Sequence, residues 1–152
     1  MSLKEKLQND LTDAMRARDE IRSSTIRMIL TSIKNEEVAG KEARELNDAE
    51  MITVLSREAK KRREAAEAFD QAGAKDRADQ ERAEGVVIGE YLPKQLTEDE
   101  IKSLVAAAMA ETGASTPAQM GLVMKSLQPK IAGKADGGLV SSLVKAALAG
   151  GN

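Results

Sequence analysis

Leu3, Leu7 and Leu11 follow one another at steps of four residues, with Ala14 and Met15 three and four beyond Leu11, and the same step returns in nearly every apolar stretch downstream. Such spacing lines one stripe of an α-helix, whereas on a strand it would scatter side chains over both faces. The spacing predicts an all-α chain. Composition agrees at the point where it matters. Phe69 and Tyr91 are the only aromatic residues, so the interior has to be filled with Ala, Leu, Ile, Val and Met. Ala, Leu and Met are among the best helix formers, whereas sheets draw on aromatic and β-branched side chains.

The helices are punctuated. Arg16-Ala17-Arg18-Asp19 interrupts the first stripe, and Asp19 is suited to cap a second helix through Ile26, Ile29, Leu30 and Ile33. That helix is predicted to fade at Val38-Ala39-Gly40, with the glycine in a left-handed turn. Asn47-Asp48-Ala49-Glu50 is a capping box in form. It opens a long helix, to about Ala72, whose seam of Ile52, Leu55, Ala59, Ala66 and Phe69 is broken near Arg62 and Arg63. Gly73 stops it, and another helix is predicted from Lys75 to Tyr91.

Leu92-Pro93 marks a boundary, because proline drives the residue before it out of the α region. Thr97-Glu98-Asp99-Glu100 is a second capping box, leading into Ile101, Leu104, Val105, Ala108 and Met109, with Gly113 as the stop. Thr116-Pro117 opens a helix through Met120, Val123, Met124 and Leu127, predicted to end at Pro129. Asp136 is placed to cap the last one, through Leu139, Val140, Leu143, Val144 and Leu148. The expected architecture is an N-terminal four-helix assembly with a long helical hairpin over residues 1–92, and a three-helix C-terminal module over 93–150. Gly150-Gly151-Asn152 is expected to fray.

With no cysteine and no histidine, thiolate and imidazole chemistry are excluded, and with them the commonest general base and metal ligand. Gly133-Lys134 is no phosphate loop: the pattern needs glycine and Ser/Thr where Gln128 and Ala135 stand. Ser141 and Ser142 precede Lys145 on a helix, but nothing there would lower the lysine pKa as nucleophilic catalysis requires. Carboxylates alternate with Lys and Arg along helix faces, which is surface pairing. No catalytic residue, metal site or cofactor is expected. The chain has no apolar run of membrane-spanning length, and its start lacks the pattern of a signal peptide. A cytoplasmic location is the expectation.

Charge is uneven. Residues 1–92 carry seventeen Lys and Arg against twenty Asp and Glu, a net of −3; the remainder carries six against five, a net of +1. In the tail, Lys125, Lys130, Lys134 and Lys145 are opposed only by Asp136 over that stretch, which reads on charge alone either as a cationic face or as an ordinary solvated helical surface. A second basic patch, Arg57, Lys60, Lys61, Arg62 and Arg63, lies on the long helix beside Glu58, Glu64 and Glu67. It reads either as an ordinary paired surface or as a phosphate-facing patch.

Several fragments together carry a resemblance. They are Ile26-Arg27-Met28, Leu55-Ser56-Arg57-Glu58, Glu90-Tyr91-Leu92-Pro93-Lys94-Gln95-Leu96, Gly113-Ala114-Ser115, Met120-Gly121 with Val123-Met124, Pro129-Lys130, and Gly133-Lys134-Ala135-Asp136-Gly137. In this order and spacing the chain resembles the GatB/YqeY family, and the stand-alone YqeY-like proteins in particular. Its tail is similar to the C-terminal module of the GatB component of the glutamine-dependent aspartyl/glutamyl-tRNA amidotransferase. There the module helps hold tRNA while the chemistry occurs in a separate domain, for which this sequence has no counterpart. The resemblance therefore implies a tRNA-binding accessory protein. The label of carbon–nitrogen ligase with glutamine as amido donor would be inherited from the tail, without independent activity.

The resemblance also implies that Gly121 and Gly133 serve close helix approach and turning, and that the lysines meet backbone phosphates. Met120, Asp136 and Gly137 belong to the same motif. Leu122 stands where a lysine is expected. With two aromatics, RNA contact should be to shape and backbone rather than to stacked bases. Two alternatives stay open: a protein-interaction adaptor that uses the tail as a docking module without RNA, and a transamidation component. The N-terminal helices are candidates for self-association or a protein partner.

Overall fold

Each helix start is local chemistry made visible. In the computed structural model, which describes residues 1–150, Ser2 and Glu5 exchange backbone and side-chain hydrogen bonds to open α1 (Leu3–Arg16). Asp19 accepts the Arg22 N–H at 3.1 Å to open α2 (Glu20–Glu37). Asn47 and Glu50 form a reciprocal box at the head of α3 (Asp48–Gln71), and Thr97 and Glu100 form another at α5 (Glu98–Thr112). A cap of this kind satisfies otherwise orphaned amides and contributes about 1 kcal/mol. Between them, α4 spans Lys75–Gly89. After a single 3₁₀ turn at Pro117–Gln119 come α6 (Met120–Ile131) and α7 (Gly137–Gly150). The chain is all-α, with no strand among the described residues. Gly151 and Asn152, where fraying is expected, lie outside them.

The punctuation holds in part. Gly73 and Gly113 take left-handed φ of 74° and 72° and end α3 and α5. Gly40 does not: α2 stops at Glu37, whose carbonyl is taken by the Arg44 N–H at 3.0 Å, and no positive φ is needed. Helix α4 ends at Gly89, before Tyr91 and Pro93, because Tyr91 and Leu92 tighten into i−3 bonds to Ile88 and Gly89. Pro129 lies inside α6. It falls in the last turn, where only one carbonyl loses a partner, and Gly133 with φ 72° then makes the turn.

The described chain divides into two units, Met1–Leu92 and the residues from Pro93 on. The first buries Leu7, Ile26, Ile29, Ile33, Leu55 and Ile88 between α1, α2, α3 and α4, each worth about 1.5–3 kcal/mol of burial. The core face of α3 is Met51, Val54, Leu55, Ala59 and Ala66, with Glu58 among them; Ile52 and Phe69 are only partly covered. Arg62, which breaks the seam, lies 3.2 Å from Glu84 and 3.6 Å from Glu81 of α4. A charge on the packing face is thus met by charges from the antiparallel arm of the α3–α4 hairpin.

Polar ties cross long stretches of this unit. Glu37 is buried and accepts from the Leu46 N–H at 3.1 Å and from Lys4 at 3.2 Å. Those two bonds hold its carboxyl below the ordinary range. Arg22 grips Glu90 through two bonds of 2.8 and 2.9 Å. The Tyr91 hydroxyl donates to Asp10, and burial followed by that bond pushes its pKa up. Lys6 lies over the Tyr91 ring, 5.4 Å from its centre.

The second unit packs α5, α6 and α7 around Ile101, Val105, Val123, Leu127, Val140, Val144 and Leu148. Its ion pairs among the described residues are Lys102–Glu98, one turn apart, and Lys130–Glu111 at 3.8 Å. No described helix is long and apolar enough to cross a membrane.

Candidate nucleic-acid interface

The α6–α7 turn is held from behind. Gln95 donates its side-chain amide to the Gly133 and Pro93 carbonyls, each at 2.8 Å, and the Leu96 N–H reaches the Lys134 carbonyl at 2.8 Å. The Pro93–Leu96 and Gly133–Gly137 fragments, distant in sequence, thus form one structure. Lys134 donates its own N–H to the Ile131 carbonyl at 2.8 Å, and Asp136 accepts from the Gly138 N–H at 3.2 Å at the start of α7.

Lys130 and Lys134 therefore flank one braced turn. Lys125 lies on α6 about 9 Å before its end, and Lys145 on α7 about 12 Å beyond its start, at a helical rise of 1.5 Å per residue. All four lysines are exposed. Lys125, Lys134 and Lys145 have no carboxylate within 4.0 Å among the described residues, whereas Lys130 is shared with Glu111. Lys94 likewise has no ion pair among them. Cations on long stems and not spent on internal pairs keep their full donor capacity for an external anion.

Other motif positions behave differently. Gly133 is required by its positive φ. Gly121 is not a point of close helix approach, since a Cβ there would meet nothing within 4 Å; Gly137 is equally open. Met120 is half-buried against the core and Leu122 is 52% exposed. Elsewhere in the second unit, Lys102, Val105, Ala106, Met109, Leu143 and Ala147 line a groove of about 380 Å³ between α5 and α7. Local spacing carries no signal for that groove, because its walls come from two helices distant in sequence.

The basic patch of the first unit is largely consumed. Arg57 lies 3.6 Å from Glu36, Lys61 3.3 Å from Glu58, and Arg62 among Glu58, Glu81 and Glu84. Of the local partners suggested by sequence, Glu58 is the one these pairs use. Arg63 is exposed with no ion pair among the described residues, and Lys60 is engaged. No group of three or more Asp and Glu side chains in the described residues is placed to hold a metal ion.

A braced cationic turn on a small helical bundle, in a chain whose other unit is a larger helical assembly, defines a two-unit all-helical protein with a candidate anion-binding face. The chain matches the family described as YqeY-like protein over residues 4–148, and it belongs to that family. It is similar to the protein named altered inheritance of mitochondria protein 41, mitochondrial, of Lachancea thermotolerans, with 29% identity over 93% of this chain and 76% of that one. The protein of the same name in Clavispora lusitaniae is 30% identical over 83% of this chain and 74% of its own length. These mitochondrial names overturn the cytoplasmic expectation. The physical reason is plain: the lack of a secretory pattern, on which that expectation rested, does not choose between the cytoplasm and an organelle's interior.

Proposed function

We propose that this protein is a tRNA-binding accessory factor whose second unit contacts the RNA backbone through Lys125, Lys130, Lys134 and Lys145. One observation carries the reading: three of these cations are exposed, without an ion pair among the described residues, around a turn that Gln95 and Leu96 brace. The kinship of the tail with the amidotransferase component is part of the same proposal, and no independent ligase activity is proposed. Lysines of this kind supply counterion release and positioning rather than sequence readout. The test is a mobility shift with bulk tRNA at low salt. Binding should weaken with rising salt and fall roughly tenfold or more in Lys130→Glu/Lys134→Glu. Absence of binding, or binding indifferent to that double change, would end the proposal.

A second reading has its own support. Leu122 is exposed where a cation was expected, and the α5–α7 groove is walled by Val105, Met109 and Leu143. An exposed leucine and a groove with half-buried Met109 and Leu143 in its wall suit protein docking, so the tail would act as an adaptor module without RNA. Under that reading Met109→Lys would abolish partner recovery from nuclease-treated extract, and Lys130→Glu/Lys134→Glu would not.

A further inference from the structure

Helix α1 ends in a six-to-one and five-to-two pair of hydrogen bonds: Asp19 N–H to the Ala14 carbonyl at 2.9 Å, and Arg18 N–H to the Met15 carbonyl at 3.2 Å. This is a Schellman ending, in which the left-handed residue is usually glycine. Here it is Arg18, at φ 58°, the only non-glycine with positive φ among the described residues. An L side chain at this position is strained. The conformation sets Arg18 at the rim of a shallow groove of about 510 Å³, with Met15, Glu20, Ser23, Ser24 and Arg27. Neither Arg18 nor Arg27 has an ion pair or side-chain hydrogen bond among the described residues. Met15 and, in the first turn of α2, Ile21 are 51% and 44% exposed.

A second groove, of about 330 Å³, lies at the same corner and has the opposite sign. Its lining includes Asp10, Asp13 and Asp19, with Ala14, Ala17 and Arg22. Arg22 is shared between Glu90 and Asp19, which leaves three carboxylates against one guanidinium, so the groove is negative on balance. Asp13 has no ion pair or hydrogen bond through its side chain among the described residues. One corner thus presents a groove with two arginines against Glu20 and an exposed methionine, and a groove with three aspartates against Arg22 whose lining includes two alanines.

We propose that the α1–α2 corner is a self-association surface on which a second copy of this chain sits, the Arg18–Arg27 groove of each copy against the Asp10–Asp13 groove of the other. The occupant follows from charge complementarity: the counterpart of each groove is carried by the same corner. A two-fold arrangement makes every contact twice, as an isologous interface requires. Met and Arg are enriched at such interfaces, and guanidinium forks match carboxylates geometrically. The proposal is independent of RNA binding by the tail.

The test is sedimentation equilibrium of the full chain at low salt, with three samples. The wild type should approach twice the 16.3 kDa chain mass and dissociate as salt rises toward about 0.5 M, where screening shortens the range of exposed charges. Arg18→Glu/Arg27→Glu and Asp13→Lys/Ala17→Lys should each dissociate roughly tenfold or more readily. An equimolar mixture of the two variants should form a mixed dimer, since one of its two contacts then joins glutamates to lysines. The mixture also controls for folding, because a misfolded variant could not be rescued by its complement. A wild type that stays at the monomer mass, variants that dimerise like the wild type, a mixture that gives no dimer, or open-ended growth with concentration would each overturn the proposal.

Discussion

The two units carry charge in opposite ways. In the first, several cations, though not Arg18, Arg27 or Arg63, are spent internally and over distance: Lys4 on Glu37, Arg22 on Glu90, Arg57 on Glu36, Arg62 on Glu81 and Glu84, and Arg82 on Asp70. In the second, the core is apolar, the ion pairs among the described residues are two, and most lysines are left over. A pair that joins distant elements helps to specify tertiary structure, whereas an unspent cation is available to a ligand. Counting basic residues therefore misleads. The denser patch, Arg57 to Arg63, lies in the unit that consumes its charge, and the sparser set from Lys125 to Lys145 is the one left available.

The sharpest way to break this comparison is through the cores. The second unit has little besides its apolar cluster, and a bundle of its size is only marginally stable. Leu127→Ala, at a side chain with no exposure, should cost about 3 kcal/mol and unfold this unit while the first stays intact. Leu55→Ala should cost a similar amount in the first unit, whose polar ties and larger core keep it folded. Amide exchange resolved by residue checks both. Simultaneous loss of protection throughout the chain in either variant would show that the units do not differ in this way.

The next effect concerns the unspent cations themselves. Lys125→Glu/Lys134→Glu should weaken tRNA retention about tenfold or more and flatten its salt dependence by about two, one for each lost phosphate contact. The reversal Arg57→Glu/Arg62→Glu should change retention less than about twofold, because these side chains already face carboxylates. Equal losses from both pairs would mean that the consumed patch also meets the ligand.

A smaller effect is set by pH. Bonds from Leu46 and Lys4 lower the Glu37 pKa from its ordinary 4.5. A carboxyl depressed on folding contributes stability above its unfolded pKa and loses it as the pH falls through the folded value. The first unit should therefore loosen below about pH 4.5, with the Leu46 amide exposed early. In the second unit Glu100 is depressed chiefly by bonds within its own cap, with Lys94 adding to the shift, so its protonation should fray the head of α5 and leave the core. Measuring Leu46 and Val123 exchange between about pH 5 and 3 separates the two.

How much of this was legible in the sequence follows the same division. The caps at Asp19, Asn47 and Thr97 could be read because donor and acceptor lie within three residues. The left-handed turns at Gly73 and Gly113 could be read because only glycine takes them cheaply. Gly40 and Pro129 misled because neither residue dictates a helix end when neighbouring bonds or position make another solution available. Glu37 with Leu46, Tyr91 with Asp10 and Gln95 with Gly133 were not legible, since each joins residues that only the folded chain brings together. The lysines of the tail were visible as residues. Their lack of partners was not, because that depends on where every carboxylate ends up.

The smallest predicted effect falls on the one position where the first unit leaves a cation unspent at a cost in backbone strain. Arg18→Gly removes the left-handed penalty of about 1–2 kcal/mol but gives the unfolded chain more freedom, which offsets about 0.4–1 kcal/mol. The net should be a gain of about 0.5 kcal/mol in the stability of the first unit, read as a higher denaturant midpoint at unchanged slope. The same change deletes a cation from the proposed contact between copies, so the association constant should fall even as each copy becomes more stable. A residue kept only for folding would give stability and association changes of the same sign. Opposite signs would identify Arg18 as a place where stability has been traded for contact, while a loss of stability would mean that the arginine side chain packs at this corner and is not merely tolerated there.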